Sequence, residues 1–586
     1  MLHQRAKMAW MKGGDQCSRI FFRRVAKRRA SNRVFQITNS EGQVLTNRDS
    51  VISEFTEYFR TLLGGTRRQR VLDMGYLRPL ARHVLSDDEA LALIQPVTPN
   101  EIKTAVFDID EVKAPGPDGY SSGFFKAAWP IVGEEVTRAG LGVLPDRPTT
   151  QTANAHSPGS ADQPISECIR TRSFYWRQSC WLKNYFRDTI SNNLPPRCAL
   201  KVDLRKAYDT VEWDFLSAVL TLFGFPPLFI SWIEECVTTA SFSVCVNGAP
   251  HGYFPGARGL QQGDPMSPYL FVLAMEVLTL ILNQFIDQDG GFKYHWRCED
   301  LRLFQLGFAD DLLLFSKADL SSVHLFKRGL LEFADLSGLQ VNPQKSHIIL
   351  SRSAAVYRDM LLPILGYQEG HLPLWYLGFP LLASRLTIAD CKPILQKIDD
   401  RIRGWDGIML SFAGRLQLIK SVLTALQVYW AMAFILPKSI IREIEKRLRS
   451  FLWKGSSGVG YAKVSWQQAC RPVEEGGLGL RDLLALNRGL MSRHLWRVIM
   501  ADRSSIWVDW VIHCRLRNAS IWTVSDRTGS WSCRKLVELA TYHGYGEYDL
   551  PAIHGGRDRI IWTGPRNSFS SAVAYDVFCP PGPKVD

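Results

Sequence analysis

Two adjacent acids, Asp310 and Asp311, sit in the run Gly307-Phe308-Ala309-Asp310-Asp311-Leu312-Leu313-Leu314-Phe315. Apolar flanks on both sides predict a tight hairpin whose tip carries both carboxylates. Neighbouring carboxylates repel, and apolar surroundings disfavour ionisation further. A divalent cation would relieve both penalties, and an all-oxygen donor set favours magnesium, held by few carboxylates plus substrate phosphates. Taken alone, an Asp-Asp pair is more often a solvated turn. A third acid changes the reading: Asp203, in Cys198-Ala199-Leu200-Lys201-Val202-Asp203-Leu204. Leu200, Val202 and Leu204 alternate there with Lys201 and Asp203, the period of a strand with a buried face behind Asp203. On a neighbouring strand, Asp203 would complete a two-metal site that stabilises attacking and leaving oxygens.

Between these acids lies Gly259-Leu260-Gln261-Gln262-Gly263-Asp264-Pro265-Met266-Ser267-Pro268, followed by a long apolar stretch. Ser267 is expected as N-cap and Pro268 as first residue of a helix. Gly263 would let backbone approach a flat ligand, and Gln262 offers both donor and acceptor. An ordinary loop-to-helix junction explains the same residues. After Asp209 a helix is expected to end at Gly224 and Pro226-Pro227. Residues 100–136 read as helix, turn, helix, with a rigid turn in Lys113-Ala114-Pro115-Gly116-Pro117-Asp118-Gly119.

At 586 residues the chain is too long for one domain. Its 46% hydrophobic and 22% charged fractions exclude wholesale disorder. Seventy basic against 57 acidic residues give +13, and with 18 Trp, 18 Tyr and 30 Phe this suits a nucleic-acid partner. The basic excess is concentrated between Arg5 and Arg33, where Asp15 is the single acid. That segment reads equally as a phosphate-neutralising arm and as a solvated helix or localisation signal. Twelve scattered cysteines without a Cys-x-x-Cys argue against zinc ribbons and disulfide frameworks and for an intracellular setting, nucleus or cytoplasm. No secretory leader is expected, because Arg5, Lys7 and Lys12 precede no apolar run. The apolar stretches Pro268–Phe285 and Val422–Pro437 are read as buried helices, so no membrane is expected.

The three acidic and glycine-rich segments resemble motifs A, B and C of reverse transcriptases, in order and separation: Asp203 to Asp209, Gly259 to Leu273, and Phe308 to Asp311. The wording is similar to that of plant LINE-type (non-LTR) retrotransposon enzymes. Lys113–Gly119 and Phe124-Phe125-Lys126-Ala127-Ala128-Trp129 resemble the opening fingers motif, and Ser337–Ser346 resembles motif D. Tyr376-Leu377-Gly378 and Leu410–Arg415 resemble segments entering and within the thumb. Trp10, Gly14-Asp15 and Phe21-Phe22 resemble the leader upstream of the fingers. Val464-Ser465-Trp466 and Gly476–Leu480 resemble the region after the thumb.

The resemblance implies an α+β right-hand polymerase: a palm with an antiparallel sheet, partial fingers, a helical thumb and a small C-terminal segment. The expected divisions are a basic leader (1–99), partial fingers (100–139), an atypical or disordered insert (140–183), the palm (184–352), the thumb (353–460) and a C-terminal region (461–586). Asp203, Asp310 and Asp311 would hold two Mg2+ ions, with the Leu204 carbonyl as a further ligand. Tyr208 would pack under the sugar of an incoming dNTP and exclude a 2′-hydroxyl, while Gln262 and Gly263 line the nucleotide pocket. Lys345 would be the electrostatic partner or acid for the leaving pyrophosphate. From sequence alone it reads equally as a lysine on a surface turn. Basic residues from Arg401 to Arg449 would track an RNA template paired with a DNA primer. The stretch from Trp507 through Trp531-Ser532-Cys533 to Asp576 resembles the start of a zinc-binding domain. No Cys/His cluster there completes a tetrahedral site, so no zinc is expected. No protein partner is inferable.

The departure from the family lies at Gly140–Cys180, where relatives carry cations that grip the triphosphate. Losing one such contact typically costs about 1.5–3 kcal/mol. The expectation is a polymerase architecture with weakened or absent activity. The alternatives are a non-catalytic RNA-binding remnant, or a group II intron-like maturase, which shares the palm.

Overall fold

The computed structural model describes residues 30, 32–39, 41–64, 72–81, 84–111, 120–142, 194–382, 386–405, 410–454, 461–501, 505–516 and 569–579. The basic leader up to residue 29, the Lys113–Gly119 turn, most of the 140–183 segment and Trp531–Cys533 lie outside the described residues. In chain order the helices used below are α1 (Arg48–Leu63), α2 (Trp213–Leu222), α3 (Ser267–Asp289), α4 (Leu320–Ser337) and α5 (Lys392–Arg403). They continue with α6 (Lys438–Lys454), α7 (Leu483–Ile499), α8 (Ile506–Trp510) and α9 (Ser571–Phe578). The strands used below are β1 (Arg197–Asp203), β2 (Ser241–Val246), β3 (Ala249–Pro255), β4 (Gln305–Phe308) and β5 (Asp311–Lys317). After them come β6 (His347–Leu350), β7 (Gln368–Glu369), β8 (Leu374–Tyr376) and β9 (Phe379–Leu381).

These elements form two units drawn from interleaved stretches of chain. The first comprises Met1–Ile169, Leu204–Gly290 and Leu325–Asn342. The second comprises Arg170–Asp203, Gly291–His324 and Pro343–Asp586.

The first unit is built around α3. Its apolar residues recur on nearly every side, and Phe271, Ala274, Val277, Leu278 and Ile281 are fully buried, as expected of a core helix. By length and composition it could cross a membrane, yet 67% of its apolar window is buried. Ser267 is the first helical residue and not the cap, which is Met266 with no side-chain bond. The Ser267 hydroxyl donates instead to Asp264 Oδ2 at 3.1 Å, which draws it away from the helix-end N–H groups. The C-terminal half of α4 packs close to α3 at Gly329, where a Cβ would meet Leu282 Cδ2 at 2.5 Å. Phe333 of α4 meets Phe215 of α2 edge-on at 6.0 Å. α2 ends at Leu222, and Gly224 turns the chain at a φ of 83°. Pro227 opens the following helix, Pro227–Thr238, because it lacks only an N–H that would be orphaned there. β2 and β3 pair as a hairpin with an irregularity between Ser243 and Val244.

The second unit holds a five-stranded sheet in the order β4-β5-β1-β6-β7. All neighbours are antiparallel except β6 and β7. Leu312 to Phe315 of β5 are fully buried on both faces, as are Cys198 to Leu200 of β1. At Asp203 and Asp311 the two strands become half-buried. One face, carrying Ala199, Leu313, Phe315 and Ile349, packs with Tyr376 and Leu381 of the β8–β9 hairpin and with α7 and α8. α5 and α6 are amphipathic helices joined by Arg447, which donates to Asp399 at 2.9 Å and Glu443 at 2.7 Å.

Candidate active site

The hairpin anticipated from the paired acids is present. Phe308 pairs with Asp311, leaving Ala309 and Asp310 as the turn between β4 and β5. Ala309 adopts a φ of 47°, left-handed geometry that costs a non-glycine residue about 1–2 kcal/mol. Strand β1 lies against β5 with Asp203 directly opposite Asp311. Side chains alternate along a strand, so Asp203, Lys201 and Ala199 share one face with Asp311, Leu313 and Phe315. Two acids distant in sequence thus meet on one sheet face, with Asp310 at the adjoining turn.

The electrostatics follow from that packing. Burial pushes the Asp311 carboxyl above the usual carboxylate range. Lys201 pulls it back, while Asp310 and Asp203 push it up. The corner therefore carries opposed negative charge in a partly dry setting, which a hard cation would relieve. Among the described residues no three His, Cys, Asp or Glu side chains form a ready-made metal cage. Magnesium needs none, since it is commonly held by one or two carboxylates together with substrate phosphates and water. The donor set here fits that mode.

Lys345 is exposed in the turn leading into β6. Ser346, its fully buried neighbour, accepts the Asp203 backbone N–H at 3.1 Å. This hydroxyl fixes the end of β1 beside the Lys345 turn, and sequence reasoning missed it because the partners are 143 residues apart. Tyr376 was also missed as a neighbour of the corner. It is fully buried, and burial, with a smaller contribution from Asp311, holds its hydroxyl well above its ordinary range.

Leu204, Tyr208, Gln262 and Gly263 lie in the first unit. The side chain of Leu204, next after Asp203, is buried, and its backbone bridges Val341. Arg205 N–H donates to Gln340 O at 2.8 Å, which joins the end of motif A to motif D. The Tyr208 ring stacks on Phe271 of α3 at 4.6 Å and 15°. Its carbonyl accepts Leu260 N–H at 2.7 Å, while Gly259 N–H donates to Val211 O and Gly259 O accepts the Trp213 indole. Gly259 has a φ of 92°, and a Cβ there would meet Asp209 O at 2.7 Å, so only glycine allows this closeness. Gln262 and Gly263 are exposed on the turn beyond, Gly263 at a φ of 103° with open space where a Cβ would stand. Of the cations expected to track a duplex, Arg415 is committed internally, donating to Leu452 O and Leu410 O, and Arg447 holds α5 to α6.

Residues 152–381 match the family model for reverse transcriptase (RNA-dependent DNA polymerase). The chain carries a reverse transcriptase domain. The match opens inside the stretch 140–183, read from composition as an insert, and runs through β9. The chain's relatives include proteins of non-LTR retrotransposons. A transposon TX1 149 kDa protein of Xenopus laevis is 24% identical over 72% of this chain and 35% of its own length. The Pol polyprotein of the R2DM element of Drosophila melanogaster is 24% identical over 48% of this chain and 26% of its own. A protein of Arabidopsis thaliana named for ribonuclease H is 35% identical over 26% of this chain and 25% of its own. This chain thus spans between a quarter and about a third of these relatives. A solved apo telomerase of Candida tropicalis aligns with a TM-score of 0.29 and 11% identity, covering 84% of this chain and 78% of that one. The whole five-stranded sheet lies within the matched residues, and the chain has the mixed α+β character expected from the sequence.

Proposed function

We propose that this chain is the RNA-directed DNA polymerase of a plant LINE-type retrotransposon, working by two-metal nucleotidyl transfer. The observation that carries the reading is the cross-strand pairing of Asp203 with Asp311 beside the Asp310 turn. Asp203, Asp310 and Asp311 hold two magnesium ions, with the Leu204 carbonyl as a further ligand. When bound, the ions supply charge stabilisation for the attacking and leaving oxygens. The substrates are a dNTP and the 3′-hydroxyl of a DNA primer annealed to an RNA template. Tyr208, held flat by Phe271 and tied through its carbonyl to Leu260, is suited to pack under a sugar and exclude a 2′-hydroxyl. Gln262 and Gly263 offer a hydrogen-bonding side chain and an unobstructed backbone to the nucleotide. Lys345, exposed next to the Ser346 anchor, offers positive charge to the leaving pyrophosphate. The plant assignment rests on the motif wording and on the similarity to the Arabidopsis protein.

The test is primer extension on an RNA template with magnesium, comparing this chain with Asp310→Ala. Incorporation is expected to fall to background in the variant. Equal incorporation by both proteins would refute the reading. Salt-sensitive RNA binding without magnesium-dependent extension in either protein would favour the non-catalytic remnant.

A further inference from the structure

Lys201 has no role in the two-metal reading, yet the sheet register puts it beside the reacting corner. It lies two residues before Asp203 on the same face of β1, opposite Leu313 of β5 on one side and His347 of β6 on the other. Asp311, paired with Asp203, is therefore its diagonal neighbour, a relation that typically sets residues about 7–8 Å apart, with the Cβ atoms somewhat closer. Its ammonium donates to the Trp375 carbonyl of β8 at 2.9 Å and is anchored there. The anchor is itself well held. Tyr376 and Phe379 are fully buried, Phe379 stacks on Tyr429 at 4.3 Å, and the Tyr429 hydroxyl donates to Leu377 O at 2.6 Å. A lysine bonded to such a carbonyl keeps a fixed stand-off from the acids.

We propose that the Lys201 ammonium is a built-in counter-cation of the aspartate corner, held at a distance by the Trp375 carbonyl, and that it sets how tightly the corner takes divalent cations. The proposal rests on the two-metal reading and adds a residue to it. Lys201 stands diagonal to Asp311 on one sheet face, so the field of its ammonium acts on that carboxylate. The same field opposes any cation entering the corner. Lys201 thus spares the metal-free site from full carboxylate repulsion, and in exchange weakens metal affinity.

The test is Mn2+ binding to the full-length chain without nucleic acid, followed by electron paramagnetic resonance. Lys201→Gln removes the charge but keeps a donor for Trp375. Lys201→Met removes both, and Lys201→Arg keeps both. The Gln and Met variants are expected to bind Mn2+ roughly 3- to 10-fold more tightly, as expected when one charge at this range is deleted. The Arg variant is expected to match the unmodified chain. The magnesium concentration for half-maximal primer extension should fall in the same order. A Gln variant that binds like the unmodified chain, or neutral variants that bind more weakly, would overturn the proposal. Asp311→Asn separates the two levels. If it leaves Mn2+ binding intact, the two-metal reading fails and Lys201 with it. If it weakens binding while neutral Lys201 variants do not tighten it, only the counter-cation proposal fails.

Discussion

Asp311→Asn should make the metal-free protein more stable while removing the proposed polymerase activity. Asp311 stands directly opposite Asp203 in an antiparallel pair and beside Asp310 at the turn. Like charges so placed destabilise a sheet by about 0.2–1 kcal/mol, and the partial burial of Asp311 acts in the same direction. Asparagine keeps the shape and removes the charge, so a gain of about 0.5–1 kcal/mol is expected in urea unfolding at pH 7 with a chelator. The pH dependence has a definite sign. The Asp311 carboxyl is raised in the folded state, so the folded protein holds its proton to higher pH than the unfolded chain. Its unfavourable contribution is absent at pH below the unfolded value, grows as pH rises, and is complete above the folded value. The advantage of the Asn variant should therefore shrink on acidification. Saturating magnesium should reverse the order, since it stabilises the unmodified chain by mass action and the variant far less. Primer extension should fall by about a thousandfold or more, roughly 4 kcal/mol of barrier. An Asn variant less stable than the parent in chelator at pH 7, or a difference that does not change with pH, would refute the argument.

Three further changes probe the supports. Ser346→Ala leaves the Asp203 N–H without its acceptor, which should cost about 1–2 kcal/mol in urea unfolding and about tenfold in primer extension, with a higher magnesium requirement. Gly489→Ala puts a Cβ on α7 against the Tyr575 backbone N at 2.8 Å and Ser571 O at 3.0 Å of α9, which should cost about 1–3 kcal/mol and speed proteolysis at the C-terminal helix. Glu445 on α6 is pushed up to about 7, by burial and then by Asp482, so its contribution to stability should decline between about pH 4.5 and pH 7. Glu445→Gln should flatten that decline, as read from urea midpoints at pH 5 and pH 8.

The acids could be found in the sequence because their surroundings leave few alternatives. Leu312 to Phe315 can be satisfied only by deep burial, and a run of that kind ending in two aspartates has to place charge where burial stops. The alternation Leu200, Val202, Leu204 likewise fixed the side on which Asp203 emerges. What could not be seen were the individual side-chain contacts. Ser346 looks like any serine after a turn until β1 and β6 are side by side. Lys201 looks like an outward strand residue until the β8–β9 hairpin covers that face. Ser267 carried the sequence signature of a cap but follows Asp264, whose carboxylate takes the hydroxyl first. Short-range acceptors of that sort compete with caps in ways that residue preferences do not encode.

Register links the core to the chemistry. Along β1, a slip of one residue against β5 would exchange the faces of Lys201 and Asp203 with those of Leu200 and Val202. That slip would push two charged side chains into the apolar face and strip Leu200 and Val202, both fully buried, of their packing. Burying those two charges without partners costs several kcal/mol each, so the alternative register is excluded. The same leucines and valine that supply the core therefore hold Asp203 opposite Asp311. Substitutions deep in β1 or β5 should for that reason disturb catalysis through position, even where they touch no acid.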